Sequence, residues 1–177
     1  MMLSQLQKKF NIAHHTFDLT AARAAILEMM GDEVELNNNA LVNLPPRLRM
    51  TTLYTVAAAE NRLVAGTGNR SERYMGYFTK HGDGACDFNP ISDLTVTEVY
   101  EFLRYLDAPA SVIEKAPSAG LYEGQTDEKD MGISYAKIDE YLLHGTATEE
   151  DLAIMNRYHS RSEHKRRPTN MFREVND

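Results

Sequence analysis

A glycine-rich turn at residues 66–72, GTGNRSE, carries side chains that could hold a nucleotide and a metal ion. Thr67 supplies a hydroxyl, and Glu72 supplies a carboxylate for a Mg²⁺ ion that bridges nucleotide phosphates. Glycines let the backbone approach a phosphate, and the N-terminus of the following helix favours anions. A simpler interpretation also stands, because Asn69 followed three residues later by Glu72 is typical of a capping box, which needs no ligand.

A loop over residues 79–93 places a cation, carboxylates and an imidazole around glycines. A loop of this length inside a compact domain is usually functional or disordered. Two hypotheses stay open, a polar cradle for a substrate and a solvated surface loop. Cys86 lies in this loop without a base that would activate it, so we expect a buried, inert thiol.

The segment 157–167 is basic, although the whole chain has a net charge of −7. It could form a nucleic-acid patch, an arm that clamps an anionic ligand, or a solvated terminus. The acidic balance of the chain argues against general nucleic-acid binding. We therefore expect no nucleic-acid partner.

Helix and strand patterns alternate around these segments. Apolar periodicity predicts helices over 3–10, after a cap at Thr20, after Pro45–Pro46, and over 96–106, 134–143 and 148–159. Strands are predicted over 12–19 and 62–66, and polar loops over 32–44 and 116–130. The alternation predicts an α/β fold with a mainly parallel sheet and flanking helices, in a single domain over 1–177. Two strands are few for such a sheet, so we expect that part of the sheet is missing.

The composition limits where the protein can work. One cysteine excludes a disulfide within the chain and suits a reducing cytoplasm. No apolar run approaches the roughly 20 residues of a membrane helix, and the N-terminus lacks the apolar core of a signal peptide. We expect a cytoplasmic protein with no membrane partner.

Five motifs occur together in the order GTGNRSE, GYFTKHGDGACDFNPISDLT, KAPSAGLYEGQTDE, GISYAKIDEYL and SEHKRRP. This ordered set resembles the NAD⁺ synthetase family, and the resemblance covers the chain between about residues 43 and 172. The resemblance implies a Rossmann-like fold of the adenine nucleotide alpha-hydrolase type. It also implies a ligase that uses ATP and Mg²⁺ to adenylate the nicotinate carboxylate of deamido-NAD⁺, after which ammonia displaces AMP. Family members are homodimers that bind deamido-NAD⁺ across the subunit interface.

The resemblance also implies roles for individual residues at matching positions. Binding of deamido-NAD⁺ is implied for Arg47, Lys80, Asp87, His164 and Lys165. Contacts with ATP are implied for Thr67 and Ser118, and binding of Mg²⁺ for Glu72.

Two departures from the family pattern affect the ATP site. Val96 stands where the family usually has an ATP-contacting lysine, and its apolar stripe predicts core packing instead. The family's pyrophosphate-binding SGGxDS loop does not occur in the sequence. Family members carry this loop on the first strand, so the resemblance implies that the N-terminal strands of the sheet are missing with it. One hypothesis is an ammonia-dependent NAD⁺ synthetase whose loop is supplied elsewhere. Another is a non-catalytic fragment or subunit that dimerises and binds deamido-NAD⁺. The FTKHGDGACD and EHKRRP segments argue against a third, a different ATP-pyrophosphatase such as a GMP synthetase.

Overall fold

Helices joined by loops make up nearly all of the described chain. The computed structural model describes residues 2–31, 33–118 and 124–170. The helices within these ranges are α1 (Met2–Phe10), α2 (Thr20–Met30), α3 (Asn38–Glu60), α4 (Arg70–Met75), α5 (Val96–Tyr105), α6 (Ala110–Ile113), α7 (Asp127–Met131), α8 (Tyr135–His144), α9 (Glu149–Arg161) and α10 (Glu163–Arg166). In these ranges, no helix combines the length and apolar character that a bilayer crossing requires.

The predicted parallel sheet is not confirmed. Residues 12–19, predicted as a strand, form no ladder, and those from 12 to 18 are all exposed. A strand is held by hydrogen bonds to a neighbouring strand, and no segment of the described ranges supplies them here. Residues 62–66 contribute only an isolated parallel bridge between Ala65 and Phe88. The N–H of Gly66 donates to the Phe88 carbonyl at 2.7 Å and supports this bridge.

Helix α3 begins well before the proline pair, so the prediction of a loop over 32–44 is wrong from residue 38 onward. Residue 32 itself lies outside the described ranges. The Asn37 side chain accepts the N–H of Ala40 at 3.0 Å, and this cap starts the helix. Pro45 and Pro46 therefore lie inside α3, where neither can donate an intrahelical hydrogen bond.

Four other helix predictions agree with the structure. Those over 3–10, 96–106, 134–143 and 148–159 are confirmed to within two residues at each end. Thr20 is the first residue of α2 rather than its cap, and the carboxylate of Asp18 accepts its N–H at 2.9 Å. Helix α7 begins inside the predicted loop 116–130, so that prediction is wrong from residue 127 onward. The Thr126 side chain caps this helix by accepting the Lys129 N–H.

The core lies between α4, α5, α7, α8 and α9. Its buried side chains are Met75, Val96, Met131, Ile133, Tyr135, Ile138 and Met155. Val96 is thus packed in the core, as its stripe predicted. In contrast, α2 contains no buried residue, although it packs against α3.

A buried carboxylate joins α8 to the first turns of α4 and α5. Asp139 accepts the hydroxyl of Ser71 through Oδ1. Its Oδ2 accepts the Thr97 N–H at 2.8 Å and the Thr97 hydroxyl at 2.7 Å. The negative charge therefore faces two helix N-termini, where it is favoured. This contact fixes the start of α4, which carries the predicted metal ligand.

Asp139→Asn should lower the free energy of unfolding by about 2 kcal/mol, because an amide N–H₂ would oppose one of these donors. Urea denaturation followed by circular dichroism measures the change. Glu140→Gln is the control, since Glu140 is the exposed neighbour on the same helix. Equal urea midpoints for both variants would contradict the assigned role of Asp139.

Candidate functional site

The turn before α4 forms the capping box that its sequence predicted. The Asn69 side chain accepts the Glu72 N–H at 2.9 Å, and Glu72 Oε2 accepts the Asn69 N–H at 2.9 Å. Thr67, two residues earlier, is exposed and makes no hydrogen bond within the described ranges. The carboxylate predicted to hold Mg²⁺ therefore also caps a helix.

The surroundings of Glu72 disfavour its negative charge. Burial, reinforced by the carboxylates of Asp127 and Asp83 and opposed by hydrogen bonds with Asn69, raises the pKa of Glu72 to about 7. Glu98 forms the same capping box at α5, yet there the hydrogen bond from the cap N–H lowers the pKa of Glu98. A nearby cation would offset both the desolvation and the repulsion at Glu72.

No protein-only metal cage surrounds Glu72. Across residues 2–31, 33–118 and 124–170, no three His, Cys, Asp or Glu side chains are grouped to hold a metal ion. Mg²⁺ in nucleotide sites is commonly held by one or two carboxylates together with phosphate oxygens and water. Glu72 therefore suits the role of a single protein ligand for a nucleotide-bound ion.

The loop after α4 meets the C-terminal segment. Lys80 Nζ donates to the His164 carbonyl at 2.7 Å, across 84 positions of sequence. Lys165 Nζ donates to the carbonyls of Gly76 at 2.7 Å and Phe78 at 2.6 Å. Three of the five residues predicted to bind deamido-NAD⁺ are thus brought together.

The ammonium group of Lys165 is half-buried, and this burial lowers its pKa. The nearby carboxylate of Asp83 acts in the opposite direction. The ammonium also lies 5.3 Å from the centre of the Phe78 ring. An ammonium has three donors and two are engaged by carbonyls, so one remains for an anionic ligand.

Arg47 and Asp87 are not joined to this group by hydrogen bonds or ion pairs in the described residues. Asp87 accepts the N–H of Val64 at 2.7 Å and the hydroxyl of Tyr54 at 3.4 Å. Tyr54 lies on α3, and Arg47 precedes it by seven residues, which is two turns along the same face, or about 10 Å. Within the described residues, no hydrogen bond or ion pair joins Arg47 or Asp87 to Lys80.

Ser118, the second predicted ATP contact, is half-buried next to the start of α7. The N–H of Asp127 donates to the Pro117 carbonyl at 3.2 Å and fixes this position. Residues 119–123 of the same predicted motif lie outside the described ranges. In the part of the chain that is described, no hydrogen bond joins Ser118 to Thr67.

Cys86 is only half-buried, so the prediction of a buried thiol is wrong. A Cβ atom at Gly66 would lie 2.6 Å from its sulfur. The thiol thus packs on the backbone of the glycine-rich turn, which leaves one edge of its side chain open to solvent.

A cavity of about 820 Å³ opens between α3, the loop after α4, and α9. Lys165 is the only predicted site residue among its lining side chains. The rest of the wall includes three arginines and three aromatic residues, Arg49, Arg157, Arg161, Tyr77, Phe78 and Tyr158, besides amide, carboxylate, hydroxyl and apolar side chains. The basic segment 157–167 stood out in the sequence, but neither spacing nor resemblance pointed to Arg49.

Comparison with known proteins identifies the family. A model of the NAD synthase family matches residues 3–174. The chain belongs to the NAD synthase family. Residues 171–174 of the match lie outside the described ranges, but the motifs with predicted site residues fall within the match. The family resemblance of the ordered motifs is therefore confirmed.

One sequence relative is the NH₃-dependent NAD⁺ synthetase of Carboxydothermus hydrogenoformans. This NAD synthase chain is 59% identical to it over 128 residues, which cover 72% of this chain and 53% of the relative. The chain thus spans about half the length of the curated relatives that it matches.

Two solved structures share the fold. An NMN synthetase from Francisella tularensis has a TM-score of 0.90 and 41% identity, covering 95% of this chain and 70% of that protein. An NH₃-dependent NAD synthetase from Campylobacter jejuni has a TM-score of 0.73 and 26% identity, covering 96% and 70%. The fold is therefore that of the NAD synthetases, although a parallel sheet is not confirmed in the described residues.

Proposed function

We propose that this chain binds deamido-NAD⁺ and takes part in its ATP-dependent amidation to NAD⁺ with ammonia. The observation that carries the proposal is the meeting of Lys80, His164 and Lys165 in a member of the NAD synthase family. The name of the Carboxydothermus relative supports ammonia as the nitrogen donor.

The reaction needs activation because a carboxylate resists nucleophilic attack. A nicotinate oxygen attacks the α-phosphorus of ATP, a C–O–P linkage forms, and pyrophosphate leaves. Ammonia then attacks the acyl carbon, a C–N bond forms, and AMP leaves with the electron pair of the C–O bond. A proton passes to solvent, and the amide remains. Cationic groups assist because they stabilise the charge that develops on oxygen.

Each site residue has a proposed part in this scheme. Lys80, Lys165 and His164 hold the anionic substrate, and Arg47 and Asp87 contact it from the α3 side. Thr67 and Ser118 contact ATP. Glu72 would hold Mg²⁺, which when bound neutralises phosphate charge. The apolar side chain of Val96 is packed in the core, so this position supplies no cation to ATP.

A second candidate is the amidation of nicotinate mononucleotide to NMN. The likeness to the Francisella NMN synthetase favours it. The reacting carboxylate is the same in both substrates, so only the recognition of the nucleotide portion differs.

A non-catalytic role is the remaining alternative, in which the chain dimerises, binds deamido-NAD⁺ and needs a separate SGGxDS segment for turnover. Exposed apolar side chains on α2 and α3 support a partner surface. Met29 is 77% exposed and Leu53 56%. We propose that this surface forms a homodimer, which sedimentation velocity would detect.

A turnover assay distinguishes these three proposed functions. The purified chain is incubated with ATP, Mg²⁺, ammonia and either deamido-NAD⁺ or nicotinate mononucleotide, with and without an added SGGxDS-bearing segment of a relative. We expect NAD⁺ from deamido-NAD⁺ and at least about tenfold less NMN from the mononucleotide. Product only with the added segment would establish the subunit alternative. NMN formation alone would favour the second candidate, and no product in any mixture would contradict the proposed activity.

A further inference from the structure

The guanidinium group of Arg166 joins α10 to the C-terminal ends of α4 and α9. Its Nη1 donates to the carbonyls of Arg73 at 3.4 Å and Tyr74 at 3.3 Å, both near the end of α4, and to the Ser162 hydroxyl at 2.7 Å. Its Nη2 donates to the His159 carbonyl in the last turn of α9. Carbonyls at a helix C-terminus have few donors within the helix, and the helix dipole favours a cation there. One side chain thus connects α10 with two other helices.

Helix α10 is too short to be stable by itself. It is a single turn of four residues with no buried side chain, so it gains neither apolar burial nor cooperative helix stability. The backbone N–H groups of Lys165 and Arg167 donate to the carbonyls of Ser162 and Glu163 at 2.9 Å and 3.2 Å, and both contacts are local. Hydrogen bonds from side chains therefore hold α10 against the rest of the molecule.

Arg166 differs from the other cations at this helix. Lys165 and Lys80 also tie α10 to the loop after α4, through backbone carbonyls. Both lysines have a proposed part in holding the anionic substrate, so a bound ligand competes for their N–H donors. Lys165 lines the cavity, whereas Arg166 is not among the described residues that line it. Arg166 can therefore keep α10 in place while the lysines bind a ligand.

Helices α4 and α9 are also held together without Arg166. The Nδ1 atom of His159 donates to the Tyr74 carbonyl at 2.9 Å. The rings of the same two residues stack with their centres 4.4 Å apart. Loss of the Arg166 side chain should therefore release α10 without separating α4 from α9.

We propose that Arg166 is a positioning residue for the nucleotide substrate: by anchoring α10 to the ends of α4 and α9, it holds Lys165 and His164 at the site. The identity of the substrate rests on the proposed function, whereas the anchoring rests on the hydrogen bonds of Arg166 themselves. Arg166 acts through its two neighbours and does not contact the substrate.

Hydrogen–deuterium exchange followed by mass spectrometry measures the anchoring, and titration calorimetry measures deamido-NAD⁺ binding. The variant R166Q loses both the charge and the donors, whereas R166K keeps the charge but lacks the planar pair of donors. We expect R166Q to exchange the amides of residues 163–167 at least about tenfold faster while α8 stays unchanged. We also expect R166Q to bind deamido-NAD⁺ at least about tenfold more weakly. R166K should lie between R166Q and the unmodified chain in both measurements.

Gly145→Ala is the control for a general loss of stability. Gly145 has a φ of +73° and nothing lies within 4 Å of an added Cβ, so the substitution strains the end of α8 alone. It should leave both deamido-NAD⁺ binding and exchange at residues 163–167 unchanged.

Unchanged exchange at residues 163–167 in R166Q overturns the inference, as does faster exchange with unchanged deamido-NAD⁺ binding. Exchange that accelerates equally over α8 would show general destabilisation and would overturn it as well. Recovery of binding in R166K while exchange stays fast would assign the effect to charge, against a positioning role. If the unmodified chain binds no deamido-NAD⁺, the proposed function is contradicted, and the exchange of R166Q alone decides whether Arg166 anchors α10.

Discussion

Gly76→Ala should lower the free energy of unfolding by roughly 3 kcal/mol, from about 1 kcal/mol of left-handed backbone strain and about 2 kcal/mol of overpacking. Gly76 ends α4 with a φ of +67°, a backbone angle that residues other than glycine rarely adopt. An added methyl group would also overlap Cβ and Oγ of Ser162. Since Ser162 is buried, it has little room to move.

Gly145→Ala separates these two causes. Gly145 ends α8 with a φ of +73°, but nothing lies within 4 Å of an added Cβ. Gly145→Ala should therefore lower the free energy of unfolding by only about 1 kcal/mol, from backbone strain alone. Urea midpoints measure both variants, and equal losses would contradict the close approach of Gly76 to Ser162. Because the Gly76 carbonyl accepts Lys165 Nζ, Gly76→Ala should also weaken deamido-NAD⁺ binding, whereas Gly145→Ala should not.

Glu72→Gln should raise the free energy of unfolding near pH 8 by roughly 2–3 kcal/mol while it impairs Mg²⁺-dependent turnover. Folding raises the pKa of Glu72 from 4.5 to about 7, so the folded chain binds a proton more readily than the unfolded chain. The stability of the unmodified protein therefore falls as the pH rises from about 4.5 to about 7, and the loss persists above that range. Glutamine cannot ionise, yet its carbonyl can still accept the Asn69 N–H.

Stability measured across the pH range tests this account. The gain in the free energy of unfolding that Glu72→Gln gives over the unmodified protein should be present above about pH 7 and vanish below about pH 4.5. Glu98→Gln is the matched control, because Glu98 caps α5 in the same way but has a lowered pKa. It should destabilise the protein at neutral pH. A pH-independent effect of Glu72→Gln, or the same sign for both variants, would contradict the buried, acidic surroundings of Glu72.

The helices with strong apolar periodicity were predictable from sequence. Helices α5, α8 and α9 pack one face against the core, and that face repeats every three to four residues. The capping box of Asn69 and Glu72 was predictable as well, because both partners lie within one turn. The meeting of Lys80 with His164 is different, since local patterns carry no information on contacts so distant in the chain. Only the family resemblance suggested that these segments serve one ligand.

The failures have physical causes. The sequence at 12–19 predicts a strand, but it does not show whether a neighbouring strand is there to pair with it. At α3, the cap formed by Asn37 starts the helix well before Pro45 and Pro46, so both prolines lie in its interior, where local preferences disfavour them. Helices α3 and α9 are remote in sequence, so only the structure shows that Arg49 lines the same cavity as Arg157 and Arg161 of the basic segment.

Equilibrium binding of deamido-NAD⁺ to the 177-residue chain tests the central claim most directly. Titration calorimetry compares the unmodified chain with Lys80→Ala and with Lys8→Ala, which removes an exposed lysine from α1. We expect the unmodified chain and Lys8→Ala to bind deamido-NAD⁺ equally and Lys80→Ala to bind it at least about tenfold more weakly. Absence of binding to the unmodified chain, or equal binding by all three proteins, would contradict the central claim.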